Sequence, residues 1–443
     1  MRRNGRRNGS RALTNTDKTI LGLAIPALGS LAIDPLLTLA DTAFVARLGT
    51  VELAALGIDT AILLFAFFVF NFLASVVTPL VARALGHGRD SEARRWVGDA
   101  LLLAFGLGII VTIVLEVLAP VFVDLMGATP EVAGPAVSYL RIRALSTVAV
   151  LIMTVGHGAF RGHKDTVTPL KVVAVVNGLN LIIDPLLIFG FDMGLEGAAV
   201  ASVIAQFVGA FWFVRLIWKR HMAARPTRFA QALPSLFALG KSGVLLTTRT
   251  ALLLMAFTVA ASTAARIGTE EIAAHQLVAQ LFLLAALLAD AFAIAAQPMI
   301  AEAASERDLT KVHQLTRRLM GWGFIAGLVL TVFIGVARFG LPLLASDQAV
   351  ADLAVTAGGV AAMMEPIAAL VFVADGIFIG FLSLGTMVVS TATGAAVAIL
   401  LMSTTRLGET LPGVWWALAA MMVARAIVFA FGYRRSAEIA VKS

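Results

Sequence analysis

The chain has 443 residues, of which 59% are hydrophobic and 14% are charged, with 38 glycines and no cysteine. That composition excludes a soluble globular protein, because too few polar residues are present to cover a water-facing surface. It also excludes a disordered chain, a collagen-like repeat and a disulfide-stabilised scaffold. The 34 lysines and arginines exceed the 27 acids by seven, and we expect this excess to follow membrane topology before any nucleic-acid contact.

Twelve apolar runs, each long enough to cross a bilayer as a helix, follow one another along the chain. They cover about residues 19–46, 52–81, 96–118, 132–159, 167–190, 194–217, 235–264, 272–301, 318–337, 350–379, 383–403 and 411–432. The polar stretches between them are short, so no soluble domain is predicted. The sequence therefore predicts an all-α integral membrane protein with twelve transmembrane helices.

The basic residues in the connections predict the orientation of these helices. The connections on one side, together with both termini, carry 25 lysines and arginines, whereas the other side carries four. Basic residues are retained on the cytoplasmic side, so we expect a multi-pass protein of the plasma membrane with both termini in the cytoplasm. The arginine-rich start is not expected to be a cleaved signal peptide, because the apolar run after it is too long and contains Asp34 and Asp41.

An internal repeat divides the chain into two copies of a six-helix unit. ARLGTVELAA (46–55) and ARIGTEEIAA (265–274) share seven of ten residues. A unit with an even number of spans repeats in the same orientation, so we expect two parallel lobes related by a pseudo-twofold axis along the membrane normal. The predicted parts are a cytoplasmic tail (1–18), an N-lobe (19–218), a cytoplasmic linker (219–234), a C-lobe (235–433) and a second tail (434–443).

Enzyme and pump motifs are not recognisable. Gly240, Lys241 and Ser242 match the end of a phosphate-binding loop, but Ser235 stands where its first glycine is required. The six histidines show no metal-ligand spacing, and no serine-nucleophile motif is present. The sequence therefore predicts no enzyme, no metal site and no cofactor, with H⁺ or Na⁺ as the coupling ion of a transporter.

Acids inside apolar runs are the main candidates for function, because a carboxylate in a membrane costs several kcal/mol unless it is paired, hydrated or protonated. Asp34 and Asp41 lie seven residues apart on one face of span 1, and Asn177, Asn180 and Asp184 form one stripe on span 5. Both spans run outward from the cytoplasm, so Asp41 and Asp184 are predicted to meet in the outer half. Two carboxyl groups in one apolar site do not both ionise easily, as a proton-coupling site requires.

In the second lobe, the predicted polar cluster consists of Arg249 on span 7, Asp290 on span 8, and Glu365 and Asp375 on span 10. A static salt bridge between Arg249 and one of the aspartates is one interpretation, and a second ion site or a gating pair is the other. Three more acids lie near predicted span ends, where we expect interfacial carboxylates: Asp59, Asp99 and Glu116.

Single residues elsewhere carry weaker signals. Pro26 removes a backbone hydrogen bond from span 1, so this span is predicted to bend there, either as a switch beside the acids or as an ordinary kink. Tyr139 and Ser202 are lone hydroxyl side chains in spans 4 and 6, and sequence alone assigns them to packing.

Several segments together resemble the multidrug and toxic compound extrusion (MATE) family, and its DinF-like branch in particular. They span both predicted lobes and are ADTAFVARLG (40–49), GAFRGHKDTVTPL (158–170), NLIIDPLLIFG (180–190), AAHQLVAQ (273–280), ADAFAIAAQ (289–297) and ADGIFIG (374–380). The resemblance implies two six-helix lobes in a V around a central cavity. It also implies export of amphipathic, often cationic compounds against entry of H⁺ or Na⁺.

The resemblance also assigns roles to individual residues. It implies a first-lobe cation site at Asp41, Asn180 and Asp184, with two hydroxyl neighbours, Tyr139 and Ser202, and a bending position at Pro26. In the second lobe, relatives of the NorM branch carry an acid on span 7, where this chain has Arg249, whereas the span 10 acid corresponds to Asp375. That difference argues against a Na⁺ site of the NorM kind and favours H⁺ coupling through the first lobe.

Two functions from different classes follow. The leading hypothesis is an efflux antiporter that works as a monomer in the lipid bilayer, with small amphipathic or cationic substrates, a coupling cation and no nucleic-acid partner. The alternative is a flippase for lipids or lipid-linked precursors, which predicts a basic cavity built around arginines such as Arg249.

Overall fold

The computed structural model describes residues 14–224, 229–343, 345 and 347–442, apart from the side chains at 34, 36, 68 and 229–231. In these ranges every regular element is helical. The first half contains α1 (Asn15–Val45), α2 (Thr50–Gly86, with a 3-10 turn at Val69–Asn71), α3 (Asp90–Leu125), α4 (Pro130–Ala144 and Thr147–Gly162), α5 (Val167–Pro185, continued by a π turn, Leu186–Gly190) and α6 (Gly194–Lys219).

The second half repeats this series. It contains α7 (Phe229–Ile267), α8 (Thr269–Ser305), α9 (Leu309–Ala337, continued by a 3-10 turn, Arg338–Leu343), α10 (Gln348–Gly380), α11 (Leu384–Thr404) and α12 (Leu411–Lys442). Eleven helices in the described ranges are long and apolar enough to cross a membrane, and the bent pair that forms α4 makes a twelfth. The twelve spans predicted from the sequence are therefore present.

The bend in α4 was not predicted. Its two segments meet at 48°, where the sequence suggested one span over 132–159. The break falls at Leu145 and Ser146, and the Ser146 hydroxyl donates to the Arg143 carbonyl at 2.7 Å, which satisfies an acceptor at the end of the first segment. The corresponding helix of the second half, α10, is continuous.

The sequence repeat is visible in how equivalent helices pack. An added Cβ at Gly158 would lie 3.0 Å from the Cα of Ala74, and one at Gly376 would lie 2.6 Å from the Cα of Ala293. Ala74 and Ala293 are equivalent in the repeat, and both belong to the second helix of their lobe. Small residues let membrane helices approach backbone to backbone. In both lobes a glycine of the fourth helix therefore seats that helix on the second.

The helices form two six-helix lobes in a V, with α1–α6 in the N-lobe and α7–α12 in the C-lobe. In the C-lobe, α10 is the most enclosed helix and packs against α8, α9 and α12. Large apolar side chains such as Phe65, Leu125 and Phe431 are exposed on the outside. In a bilayer these side chains face lipid, so their exposure is favourable there.

The two lobes meet mainly at the end of the V where both termini lie. α1 and the second half of α2 pack against α8 of the other lobe. Lys164 forms an ion pair with Glu302, and Arg83 Nη2 donates to the Ala440 carbonyl at 3.2 Å. By the predicted orientation this is the cytoplasmic side, so the V is closed on that side.

An apolar cavity of about 290 Å³ lies between the lobes. Its walls come from two helices, α1 with Leu28, Leu31, Ala32, Pro35 and Leu39, and α8 with Leu284, Leu287 and Leu288. Helix α1 therefore contributes to the contact between the lobes as well as to its own lobe.

The predicted domain limits differ slightly from the helix ends. α1 begins at Asn15, inside the predicted tail 1–18, and α12 continues to Lys442, beyond the predicted end of the C-lobe at 433. Residues 1–13 of the tail and 225–228 of the predicted linker lie outside the described residues.

Candidate functional site

Asp41 of α1 and Asp184 of α5 lie together in the N-lobe, as the predicted topology required. Their carboxyl groups lie within hydrogen-bonding reach of each other. Asp184 is 1% exposed, and Asn180 donates to its Oδ1 from Nδ2 at 3.0 Å. Apart from these contacts, Oδ1 of Asp41 and Oδ2 of Asp184 are buried without a hydrogen-bond partner. An ionised carboxylate only accepts hydrogen bonds, so a bond between two carboxyl groups requires a proton on one of them.

The polar stripe of α5 extends this site. Asn180 Nδ2 also lies 3.4 Å from the Ser202 hydroxyl of α6, so one amide links α5 to α6. Asn177 is turned to its own helix and donates to the Val173 carbonyl at 2.8 Å. Asn180 and Ser202 are therefore neighbours of the carboxyl pair, whereas Asn177 bonds its own backbone.

Tyr139 and Arg143 stand one turn apart on the first segment of α4 and lie at the same site. Tyr139 interacts electrostatically with Asp41, Asp184 and Arg143. Arg143 acts on both carboxyl groups of the pair, and its Nη1 donates to Gln206 Oε1 at 3.4 Å. From the sequence, Arg143 was considered only as a basic residue for the flippase alternative and not as a neighbour of the carboxyl pair, although an arginine inside an apolar span is a recognisable signal.

Asp59 of α2 also belongs to this region, which corrects the expectation that it is interfacial. It is 0% exposed, and neither carboxylate oxygen has a hydrogen-bond partner. The buried residues Ala55, Leu56 and Leu63 lie one turn to either side of it on α2. This stripe, with helical spacing, was the signal in the sequence that places Asp59 on the inner face of its helix.

Asp34 and Pro26 of α1 were also predicted to take part in the site. The side chain of Asp34 lies outside the described part of the structure. Helix α1 is continuous through Pro26 and Pro35, and the Ser30 hydroxyl donates to the Pro26 carbonyl at 3.1 Å. Neighbouring hydroxyl groups commonly satisfy the backbone near a proline in a membrane helix.

In the C-lobe the structure pairs Arg249 with Asp375 rather than with Asp290. A second cation was missed by sequence reasoning. Arg425 of α12 is 0% exposed, and its Nη2 lies 2.8 Å from both oxygens of Asp375. An arginine in the middle of the apolar run 411–432 was the available signal. Asp375 therefore stands between two arginines on different helices.

The other two members of the predicted C-lobe cluster are placed differently. Asp290 interacts electrostatically with Arg249 and Arg425 and with Arg161 of the N-lobe. Glu365 lies ten residues before Asp375 on α10, roughly 15 Å along the helix axis. It is 1% exposed, and neither of its carboxylate oxygens has a hydrogen-bond partner. Glu365 is therefore separate from the cluster that Arg249, Asp290 and Asp375 form.

Among the described side chains, no group of three or more histidines and acids is arranged to hold a metal ion. The site is instead a set of buried carboxyl, amide, hydroxyl and guanidinium groups on several helices.

The family model described as MatE matches residues 26–186 and 247–405. The chain belongs to the MATE family. The matched ranges include both lobes and nearly all of the residues discussed above, so the resemblance seen in the sequence is confirmed, and so is the all-helical, two-lobed fold.

Relatives and structures agree with this MATE assignment. Protein DETOXIFICATION 44, chloroplastic, of Arabidopsis thaliana is 33% identical over 93% of this chain and 81% of its own length. DNA damage-inducible protein F of Escherichia coli (strain K12) is 28% identical, over 96% and 93% of the two chains. The crystal structure of the Vibrio cholerae MATE transporter VcmN in the bent form matches with a TM-score of 0.88 at 20% identity, over 95% and 97%. This MATE protein is accordingly a multi-pass membrane transporter.

Proposed function

We propose that this MATE protein exports amphipathic or cationic compounds in exchange for H⁺, and that the Asp41–Asp184 pair binds the coupling proton. The observation that supports this most is the close approach of two carboxyl groups in a buried site. When the shared proton leaves, two negative charges repel each other at close range in a medium of low dielectric constant. The pair therefore has two states of very different charge.

The surroundings of the pair favour a proton over Na⁺. Arg143 already places a fixed positive charge at the site. A second full cation beside this guanidinium meets like-charge repulsion, whereas a proton shared by two carboxyl groups neutralises a negative charge in place. Asn180 and Ser202 contribute oxygens that a Na⁺ ion would also use, so the identity of the ion needs a direct test.

Helix α1 connects the pair to the space between the lobes. Leu39 lines the interlobe cavity and lies two residues before Asp41 on the same helix. Pro26 and Pro35 weaken the backbone ladder of α1 between the pair and the end where the lobes meet. In the proposed cycle, protonation changes the contact between α1 and α5, α1 bends, and the cavity contracts around the substrate.

The flippase alternative predicts basic side chains available to a lipid headgroup. Arg249 and Arg425, the arginines of the C-lobe polar cluster, instead both bind Asp375. This pairing favours the antiporter.

The test is uptake of a fluorescent organic cation into proteoliposomes driven by either a pH gradient or a Na⁺ gradient. We expect the pH gradient alone to drive wild-type uptake, and Asp41→Asn and Asp184→Asn to reduce it at least tenfold. Asp99→Asn is the matched control, since Asp99 is another buried N-lobe aspartate, held by Arg95 at 3.4 Å. Full pH-driven uptake by both site variants would contradict the proposal. Movement of a labelled lipid without any ion gradient would favour the flippase.

A further inference from the structure

Asp59 has an environment that a purely structural carboxyl group does not require. It is fully buried on α2, and both of its oxygens lack hydrogen-bond partners. Burying a carboxylate without a partner is costly, and packing alone is served better by an apolar residue of similar size. A group of this kind persists where its charge is used.

The charged group that acts on Asp59 is Arg143. The packing explains why they are close, since α2 packs against the first segment of α4, and the buried residues beside Asp59 belong to the same apolar cluster as Tyr139. Arg143 also acts on Asp41 and Asp184. One guanidinium therefore interacts electrostatically with three carboxyl groups on three helices.

The other titratable groups around this position are few. Tyr139 of α4 interacts with all three carboxyl groups. Helix α3 contributes Leu115 and Ala119 to the surrounding cluster, and its Glu116 lies 4.0 Å from Arg141. Among the described side chains, the charge balance of the pocket is therefore set mainly by the three aspartates and Arg143.

A movement of the first segment of α4 changes the distance between the Arg143 guanidinium and all three carboxyl groups. It lies in the last turn of the first segment of α4, directly before the 48° bend. A cation is favourable at the carboxyl end of a helical segment. A change in the bend shifts the guanidinium relative to α1, α2 and α5 at once.

We propose that Asp59 is a third proton-binding residue of this transporter, and that it competes with the Asp41–Asp184 pair for Arg143. When Asp59 is ionised it holds Arg143, and the pair retains its proton. When Asp59 is protonated, Arg143 is left to the pair, and the pair releases its proton. The proposal rests on the proton coupling proposed above and adds a second site to it.

The test is the pH dependence of cation transport in proteoliposomes, recorded as the midpoint of the activity profile. In Asp59→Asn a negative charge is removed and Arg143 is left to the pair, so the pair loses its proton more readily and the midpoint moves to lower pH. In Arg143→Gln the cation is removed, so the midpoint moves to higher pH. We expect shifts of about one pH unit, which corresponds to an interaction of about 1.4 kcal/mol.

Three further variants complete the design. Asp59→Glu keeps the titratable group and is expected to restore a midpoint close to that of the wild type. Arg143→Lys keeps the cation and is also expected to have a midpoint close to that of the wild type. If Asp59→Asn does not fold, the contrast between Arg143→Lys and Arg143→Gln carries the test. Asp99→Asn, the buried acid paired with Arg95, is expected to leave the midpoint unchanged.

The outcomes separate this proposal from the one that it rests on. If wild-type transport ignores pH, proton coupling fails, and so does the role of Asp59. If wild-type transport depends on pH and is lost in Asp41→Asn, but Asp59→Asn and Arg143→Gln both keep the wild-type midpoint, only the role of Asp59 is overturned. Opposite shifts in these two variants support it.

Discussion

In the N-lobe, Asp41 and Asp184 face each other, and no ion pair among the described side chains joins either of them to a cation. In the C-lobe, Asp375 accepts from Arg249 and Arg425, so its charge is balanced by contact. The two lobes repeat one unit, and in both of them a glycine of the fourth helix packs closely against the backbone of the second helix. Both copies therefore keep the same scaffold while their buried charges differ, with the proposed proton site in one lobe and an ion-paired aspartate in the other.

The largest expected effect comes from removing the charge of that aspartate. Asp375→Asn leaves two arginines without their counter-charge in a buried place, and removal of one partner of a buried ion pair costs about 3–5 kcal/mol. We expect a marked fall in thermal stability of the detergent-solubilised protein, measured by light scattering or by tryptophan fluorescence. The control is Asp352→Asn on the exposed part of the same helix, where Gln348 is the hydrogen-bond partner. Equal stability of the two variants would show that Asp375 is not a structural anchor.

A smaller effect tests what the lobes have in common. Gly376→Ala places a methyl group 2.6 Å from the Cα of Ala293, so α10 must move away from α8. Overpacking of this kind costs about 1–3 kcal/mol. The matched control is Gly385→Ala, where an added Cβ meets no atom within 4 Å. Gly158→Ala in the N-lobe is expected to act like Gly376→Ala, and a thermal melt of all three variants checks this. A loss of stability in only one of these two variants would show that the two glycine contacts are not equivalent.

The interlobe ion pair of Lys164 and Glu302 is expected to matter less. Both side chains are about one-third exposed, and ion pairs of this kind contribute about 1 kcal/mol or less. Lys164→Ala is expected to shift the conformational equilibrium modestly toward opening on the side of the termini. The chain has no native cysteine, so spin labels at Glu131→Cys and Glu270→Cys, on the predicted outer side, can report the change as a distance distribution. A complete shift to one state would mean that this contact dominates the gate.

The smallest expected effect on stability is that of Asp184→Asn. An asparagine keeps the shape of the side chain, can accept from Asn180 and can donate to Asp41, so no buried charge is left without compensation. We expect the melting temperature to change by no more than a loss of about 0.5 kcal/mol in the free energy of unfolding would produce. The same type of substitution is therefore expected to separate the two lobes, with Asp375→Asn lowering stability and Asp184→Asn lowering transport. A strong loss of stability in Asp184→Asn would remove that distinction.

The sequence predicted the fold well because membrane spans and a duplication leave strong local signals. The apolar runs gave twelve helices, and the motif around Gly49 recurs around Gly268 at equivalent helix starts. The meeting of Asp41 and Asp184 also followed, since both lie on spans of the same direction at similar depth. The bend in α4 could not be predicted, because Leu145 and Ser146 do not interrupt the apolar run.

The residues that were missed share one property, which is that their importance depends on partners from distant helices. Arg425 stood in an apolar run, but its relation to Asp375 is set by how α10 and α12 pack. Asp59 was assigned to the interface because it lies near the start of the predicted span 52–81, although the apolar stripe around it indicated burial. Glu365 was grouped with Asp375 because both lie on span 10, but ten residues of helix separate them.

If the Asp41–Asp184 pair holds the coupling proton, substrate binding releases that proton, and this release can be measured. Purified protein in weakly buffered solution with a pH indicator dye is titrated with a fluorescent organic cation, while binding is followed on the same sample. We predict that the wild type releases its shared proton as the cation binds, and that Asp184→Asn binds the cation without releasing it. Equal proton release by the wild type and Asp184→Asn would contradict the account.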